Sequence, residues 1–135
     1  MLLVRTYLAQ SLIEGYGLFA GEDIPAGTHI WNFDPRIDLV LEADCIEQLS
    51  PACKEYFEKY AYLDVRLKKY VICGDDARFV NHSDTPNLVE TYIIGQEHGI
   101  DMASREIKKG EELTCDYRSF DSEVGVKLKS LQLSL

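Results

Sequence analysis

The stretch RFVNHSDTPN, from Arg78 to Asn87, places five hydrogen-bonding side chains directly behind the apolar pair Phe79 and Val80. Asn, Asp and Ser side chains bond to their own backbone and Pro fixes φ, so an ordinary surface turn would use the same residue types. A binding loop would also need such donors and acceptors behind an apolar anchor. The rest of the sequence has to distinguish a turn from a binding loop.

The composition describes a single acidic domain. The chain has 135 residues, of which 46% are hydrophobic and 10% aromatic, and this is enough for one well-packed core. Asp and Glu number 23 against 14 Lys and Arg, which gives a formal net charge of −9 at pH 7. Binding to phosphates needs Lys and Arg to displace counterions, so no direct nucleic acid contact is expected. A cationic partner suits the charge better.

Neither a membrane segment nor a disulfide framework is expected. Residues 2–4 are apolar, but Arg5 follows at once, and no apolar run approaches the roughly 18 residues that cross a bilayer. We therefore expect a soluble, unsecreted protein with no membrane association. A domain of this size does not need disulfides to be stable. The cysteines are predicted to be reduced thiols of the core: Cys45, Cys53, Cys73 and Cys115.

Most of the chain is typical of short β-strands. Runs that alternate in polarity or are rich in β-branched and aromatic residues are LLVRTYLAQ, THIWNF, RIDLVL, YVICG, LVETYII, GIDMAS and ELTCDY. Gly and Pro in GYG and IPAG mark connections between them. The segments DIPAGTHI and EIKKGEEL share one pattern of acidic residue, Ile, two variable residues and Gly, which predicts two similar turns.

One short helix is predicted in the middle of the chain. Ser50 suits the N-cap and Pro51 the first helical position. The residues Cys53, Tyr56, Phe57 and Tyr60 recur at the spacing of one helical face. This aromatic face is interpreted as core packing rather than as a ligand cage.

Metal, hydrolytic and nucleotide sites fit the sequence poorly. The three His and four Cys contain no Cys-x-x-Cys or His-x-x-x-His pair that would hold a metal locally. Ser83 follows His82, but no G-x-S-x-G elbow is present and triads use residues far apart in the chain. GYG lacks the further Gly of a dinucleotide-binding loop. No metal ligand is therefore predicted.

Three segments are specific when they are taken together: GYG at 15–17, RFVNHSDTPN at 78–87 and GEELTCDY at 110–117. In this order, and in a chain of this length, they resemble the SET-domain family of S-adenosylmethionine-dependent protein lysine methyltransferases, over roughly residues 4–118. The resemblance implies a mainly β fold of several small curved β-sheets around a knot-like crossing, with one short helix in the middle insert. The Asn-His-Ser segment would then lie close to the final Asp-Tyr segment.

The resemblance also implies a division of the chain and a cofactor site. Residues 1–118 would form the SET domain, and 119–135 a C-terminal tail that acts as a lid over the active site. Asn81 and His82 would meet the amino and adenine groups of S-adenosylmethionine, and the glycines would let the Tyr16 backbone approach its methionine part. The predicted cofactor-binding residues are Gly15, Tyr16, Gly17, Arg78, Asn81, His82, Tyr117 and Phe120.

Tyr117 matches the catalytic tyrosine of the family. The implied reaction is an in-line displacement in which a lysine ε-amine attacks a sulfonium-bound methyl carbon. Free lysine has a pKa of about 10.4, and a narrow apolar channel beside the cofactor's positive charge would lower it. The Tyr117 hydroxyl would align the reactants rather than simply deprotonate the amine. Candidates for the channel wall are Phe33, Tyr70, Tyr92 and Phe120, for each of which core packing is the plainer interpretation.

Two functions remain open at this point. The first is methyl transfer to a lysine of a basic protein, such as a histone, a histone-like protein or a ribosomal protein. The second is a catalytically weak binding module that keeps the cofactor site, and the absence of any Cys after Cys115 supports it, since a zinc-binding segment closes the channel in many relatives. A homodimer is left open. The expected location is cytoplasmic, for a microbial or viral protein. If the substrate is a host histone, the expected location is nuclear or secreted into the host.

Overall fold

Ten short β-strands and two α-helices form the fold within residues 1–119, the part of the chain that the computed structural model describes. The strands are β1 Thr6–Gln10, β2 Tyr16–Ala20, β3 His29–Asn32, β4 Leu39–Leu41, β5 Tyr62–Leu63, β6 Tyr70–Ile72, β7 Asn81–His82, β8 Leu88–Thr91, β9 Ile100–Ala103 and β10 Thr114–Cys115. The helices are α1 Ala43–Glu47 and α2 Pro51–Tyr60, and 3₁₀ turns cover Asp76–Phe79 and Tyr117–Ser119. The predicted mainly β class is confirmed. Neither helix is long and apolar enough to span a bilayer within this part of the chain.

The strands are divided among four small sheets. β1 and β2 form an antiparallel hairpin, and β7 and β10 form a parallel pair. The other two sheets have three antiparallel strands each, in the orders β3-β9-β8 and β4-β6-β5. Two-stranded sheets are marginally stable alone, so these sheets depend on packing against one another. This agrees with the predicted set of several small sheets.

The core is built from apolar side chains of the first hairpin, the β3-β9-β8 sheet and the two similar turns. Its members with at most 1% exposure include Leu18, Ile24, Ile30, Ile107 and Leu113. Complete burial of each such side chain contributes about 1.5–3 kcal/mol. Cross-sheet packing of these residues fixes the hairpin against the segment that leads into β10.

The two predicted similar turns pair with each other. Ile24 and Ile107 exchange both backbone hydrogen bonds, with N···O distances of 2.7 and 2.8 Å. In each turn the glycine N–H donates, at 2.8 Å, to the alanine carbonyl four residues before the partner isoleucine. Gly27 and Gly110 have φ values of +82° and +92°, a region that glycine adopts at little cost. The repeated sequence pattern therefore corresponds to an approximate two-fold relation between the turns.

Helix α2 has the predicted boundaries but a different environment. Ser50 Oγ accepts a hydrogen bond from the Cys53 backbone N–H at 3.2 Å, as an N-cap does. No residue of α2 is fully buried, so the prediction of core packing for its aromatic face is wrong. The helix lies at the surface, and Tyr60 contacts the Phe79 ring edge-on with centroids 5.4 Å apart. It therefore covers the segment that precedes β7.

Three further details differ from the sequence-based expectations. Helix α1 precedes α2 in the insert and was not predicted. It buries none of its residues, so Cys45 is exposed and the prediction that it is a core thiol is wrong. Tyr16 and Gly17 begin β2 instead of forming a connection, because the turn is closed earlier, by a bond from Ser11 N–H to the Gly15 carbonyl at 2.7 Å.

Candidate active site

The parallel pair of β7 and β10 brings the two later motifs side by side. Asn81 lies opposite Thr114, and His82 lies opposite Cys115. The Ser83 N–H extends the ladder by donating to the Cys115 carbonyl at 3.0 Å. Parallel strands require a long connection, which here contains the whole β8–β9 hairpin. The predicted proximity of the Asn-His-Ser and Asp-Tyr segments is confirmed.

Asn81 joins the first motif to the other two. The residue is buried, and its Nδ2 lies 3.2 Å from the Glu14 carbonyl oxygen, 3.4 Å from the Tyr16 carbonyl oxygen and 3.2 Å from Glu112 Oε2. An amide nitrogen has two hydrogens, so these three acceptors share them. Asn81 thereby holds the turn between β1 and β2 against β7.

Glu112 gives Gly17 a structural role. A Cβ at Gly17 would lie 2.8 Å from the Glu112 carboxyl carbon, so the carboxylate occupies the place of the missing side chain. That carboxylate accepts hydrogen bonds from Ser11 Oγ at 2.6 Å and from Asn81 Nδ2. Gly15 differs, because its φ is +46° and nothing lies within 4 Å of the position its Cβ would take. Gly15 is needed because the turn requires a positive φ, and Gly17 is needed because it leaves space for the Glu112 carboxylate.

Tyr117 is fixed at both its backbone and its hydroxyl. The hydroxyl donates to the Val80 carbonyl at 2.7 Å, and the backbone N–H donates to His82 Nδ1 at 3.1 Å. The Tyr117 and His82 ring centroids are 5.3 Å apart. Since the hydroxyl proton is used on Val80, the phenol oxygen can accept a hydrogen bond from a bound group.

His82 positions this turn. A backbone N–H can only donate, so Nδ1 is the acceptor and Nε2 carries the proton, which faces Asp84 Oδ1 at 3.1 Å. Arg118 donates hydrogen bonds to both carboxylate oxygens of Asp116, at 2.8 and 3.0 Å, and one to Asp84 Oδ1 at 3.1 Å. The hydrogen bonds from Arg118 hold the pKa of Asp116 below its usual range. The network ties β7 to the turn after β10.

A cleft of about 320 Å³ opens beside these residues, within the volume range of small-molecule sites. Five of the predicted cofactor-binding residues line it: Gly15, Tyr16, Arg78, Asn81 and Tyr117. Gly17 and His82 do not line this cleft, and they support residues that do. Phe120 and the rest of the predicted lid lie outside the described residues.

A second cavity, of about 70 Å³, shares part of its wall with the cleft, and Tyr117 belongs to this shared wall. The residues that line both spaces are Lys59, Tyr60, Arg78 and Tyr117. The wall of the second cavity, which we call the inner cavity, is completed mainly by Trp31, Tyr62, Cys73, Glu90, Asp101 and Cys115. Tyr117 is thus one of four residues that line both the ligand-sized cleft and the smaller inner cavity.

Of the four candidates for the channel wall, Phe33, Tyr70 and Tyr92 do not line the inner cavity, and Phe120 lies outside the described residues. Phe33 stacks on His98 with centroids 3.8 Å apart, and the Arg66 guanidinium lies 3.9 Å from the Tyr92 ring centroid. The aromatic residues that line the inner cavity are Trp31, Tyr60, Tyr62 and Tyr117. The helical spacing of Tyr60 was visible in the sequence, but the positions of Trp31 and Tyr62 follow from strand pairing.

Ionisable groups of the inner cavity have shifted pKa values. Burial raises the pKa of the Cys73 and Cys115 thiols well above their usual value, so both stay protonated at neutral pH. Burial raises the pKa of Asp101 to about 7. Burial, together with the charge of Asp101, raises the pKa of Glu90 to about 7. No group of three or more His, Cys, Asp or Glu side chains suited to a metal occurs in residues 1–119.

Together, the fold and the three motif segments define the class of protein. A family model described as the SET domain matches residues 15–118. The chain belongs to the SET domain family.

Several curated relatives are similar over most of the chain. Human histone-lysine N-methyltransferase 2D is 32% identical over 121 residues, or 88% of this chain. Histone-lysine N-methyltransferase trr of Drosophila melanogaster is 32% identical over 122 residues, also 88% of the chain. The H3 lysine-36 specific histone-lysine N-methyltransferase of Saccharomyces cerevisiae is 29% identical over 109 residues, or 77%. The chain spans 2%, 5% and 15% of the lengths of these proteins, respectively.

A solved structure confirms the fold. A humanized mutant of the Chaetomium thermophilum Polycomb Repressive Complex 2, bound to an inhibitor, superposes with a TM-score of 0.63 over 88% of this chain and 15% of that chain. The sequence identity is 22%, so this likeness concerns the fold alone.

Proposed function

We propose that this chain is an S-adenosylmethionine-dependent methyltransferase that acts on a lysine ε-amine of a basic protein such as a histone, a histone-like protein or a ribosomal protein. The observation that carries the proposal is that Tyr117 lines both the cleft and the inner cavity. A methyl donor in the cleft and a lysine side chain in the inner cavity would therefore both contact Tyr117. The names of the relatives and the net charge of −9 also support it.

The cleft fits the proposed cofactor. Arg78 Nε is buried and has no hydrogen-bond partner among residues 1–119, so a donor remains for the cofactor's carboxylate. Gly15 leaves open space beside the backbone of Tyr16, which lines the same cleft. Asn81 would meet the cofactor's polar groups directly, and His82 would act by holding the turn. The bound cofactor supplies an electrophilic methyl group on a positively charged sulfur.

Tyr117 would position the acceptor amine. Its hydroxyl donates to the Val80 carbonyl, so its oxygen can accept a hydrogen bond from an N–H of the amine. This contact would direct the nitrogen lone pair toward the methyl carbon of the cofactor. Trp31, Tyr60 and Tyr62 would contact the apolar stem of the lysine and exclude water. The C-terminal tail, residues 119–135, is proposed to close the cleft. Only Ser119 of this tail belongs to the described residues.

The test is incubation of the chain with labelled S-adenosylmethionine and a mixture of basic proteins, followed by mass spectrometry of any labelled band. We expect label on a lysine in a discrete protein, and little or none with Tyr117→Phe. Cofactor binding without label on any protein would reject the enzyme and favour the binding module.

A further inference from the structure

A pair of carboxylates faces the inner cavity that Tyr117 also lines. Glu90 on β8 and Asp101 on β9 are direct cross-strand partners. The core residues Leu88 and Ala103 form the pair two residues away, so all four side chains lie on the same face of the sheet. Side chains paired in this way start about 4.5–5.5 Å apart at Cβ. Two like charges at such a distance are unfavourable unless a cation or a proton joins them.

Two polar atoms beside this pair lack partners among residues 1–119, although the Glu90 carboxylate also has a hydrogen bond with the Tyr92 hydroxyl. Glu90 Oε2 is buried and accepts no hydrogen bond from residues 1–119. Glu90 Oε1 lies where a Cβ at position 99 would be, so Gly99 is what leaves room for the carboxylate. Trp31 is 5% exposed, lines the same cavity, and its indole N–H is also unpaired within the described residues. An ammonium group in the cavity would supply the donor that the Glu90 oxygen lacks.

We propose that Glu90 and Asp101 form a cation-binding end of the inner cavity that receives the ammonium group of the substrate lysine and takes one of its protons. The assignment rests on the proposed function, because the lysine is the cation that must enter this space. A primary ammonium has three N–H donors, which is enough to bond both carboxylates at once. The aromatic faces of Trp31 and Tyr62 would add attraction for the same cation.

The proton transfer is balanced within the chain and its substrate. One N–H bond of the ammonium breaks, its proton bonds to a carboxylate oxygen of Glu90 or Asp101, and the nitrogen keeps the electron pair. Both carboxyl groups have a pKa of about 7, which is closer to that of lysine than the value of about 4 for exposed carboxyl groups. A neutral acid and a neutral amine then replace a buried ion pair. The proton later leaves to solvent.

Other ionisable groups also face the pair. They are Tyr62, Cys73, Cys115, Asp64, Arg66 and Tyr92, together with Lys59, Arg78 and Tyr117 in the wall that the cavity shares with the cleft. The pKa values of Tyr62, Tyr92 and both thiols are raised, mainly by burial, so these groups stay neutral near pH 7. A comparison of pH profiles between variants therefore isolates Glu90 and Asp101.

Trp31 allows a test that does not depend on turnover, because it is the single tryptophan of the chain. Its fluorescence is titrated near pH 8 with n-butylammonium, and with n-butanol as the uncharged control. We expect saturable binding of the cation only, weakened about tenfold or more in Glu90→Gln and in Asp101→Asn. Glu97→Gln, at an exposed position on the same hairpin, should behave as wild type. No saturable response, an equal response to both probes, or unchanged affinity in both variants would overturn the proposal.

Methyl transfer to a lysine-containing basic peptide separates the two proposals. Both variants should bind S-adenosylmethionine as wild type does, while kcat falls about tenfold or more and its rise with pH moves to higher pH. If wild type is inactive but binds n-butylammonium through both carboxylates, the proposed function alone fails. If the variants match wild type in kcat and pH profile, the inference fails and the proposed function stands.

Discussion

The hydroxyl of Tyr117 is held in place before any substrate is bound. Its hydrogen bond to the Val80 carbonyl at 2.7 Å fixes the ring between the cleft and the inner cavity. A hydroxyl that already donates inside the protein acts on a ligand mainly as an acceptor. This property suits the orientation of an amine better than the removal of its proton.

Tyr117→Phe should therefore lower methyl transfer by about 10²-fold, because a positioned polar group is lost from the reacting end of the site. The affinity for S-adenosylmethionine should change little, since the ring and the backbone bond to His82 remain. Single-turnover kinetics and calorimetry measure the two effects. Near-normal transfer would remove Tyr117 from the mechanism.

In contrast to Tyr117→Phe, substitutions at Asn81 should lower stability and cofactor affinity. Asn81→Ala leaves the half-buried Glu112 carboxylate and two backbone carbonyls with one donor fewer, which should cost about 1–3 kcal/mol of unfolding free energy. Asn81→Asp should cost more, because it places a second carboxylate beside Glu112. Thermal unfolding, and calorimetry of cofactor binding with a chelator present, measure these effects. A fully stable Asn81→Asp would show that the three contacts contribute nothing.

At the scale of elements, local sequence signals predicted individual helices and turns, but they did not predict which strands pair with one another. Ser50 and Pro51 indicated α2 because caps act within one turn, and the two Ile-x-x-Gly turns were recognisable from their own residues. Trp31, Asp101 and Glu90 are neighbours because the strand order is β3-β9-β8. This order cannot be predicted from the residues of any one strand. The motifs located the cleft, whereas the inner cavity needed the tertiary structure.

The contact between β2 and the segment before β10 gives a prediction of this scale. Gly17→Ala should lower stability and cofactor affinity, because its Cβ would meet the Glu112 carboxylate at 2.8 Å and push it from Ser11 and Asn81. A double-mutant cycle with Glu112→Ala should show coupling of about 1 kcal/mol or more in unfolding free energy. Gly15→Ala is the control, since it costs only the strain of its positive φ and should not couple to Glu112. Additive effects at Gly17 and Glu112 would contradict this account.

At the scale of the whole molecule, the two carboxyl groups of the inner cavity contribute to how stability depends on pH. Glu90 and Asp101 have folded pKa values of about 7, against unfolded values of about 4.3 and 3.9. The folded state therefore binds more protons between about pH 4 and 7, and the unfolding free energy falls as pH rises through this window. The double variant Glu90→Gln with Asp101→Asn should remove most of the fall and gain about 1–3 kcal/mol near pH 8. Denaturant unfolding at several pH values measures this, and an unchanged slope would refute it.

The net charge of −9 gives a second prediction at this scale. A lysine-rich peptide should be attracted over a distance of about 8–10 Å at physiological salt, so its KM should rise several-fold when the ionic strength is increased. The affinity for S-adenosylmethionine should change less, because its contacts lie inside the cleft. Steady-state kinetics at two salt concentrations compare the two, and a KM that does not respond to salt would show that the acidic surface does not attract the substrate.

The parallel pairing of Asn81 with Thr114 and of His82 with Cys115 also has a kinetic consequence for biosynthesis. Closing a long loop costs conformational entropy before any contact compensates for it, and folds rich in distant contacts acquire their structure slowly. Until the ribosome has released the last of these four residues, a nascent chain can form the β1–β2 hairpin but not the β7–β10 pair, and Tyr117 comes later still. The ability to bind a ligand should therefore appear late and abruptly during synthesis, and the unfinished chain would expose its apolar strands to chaperones in the meantime.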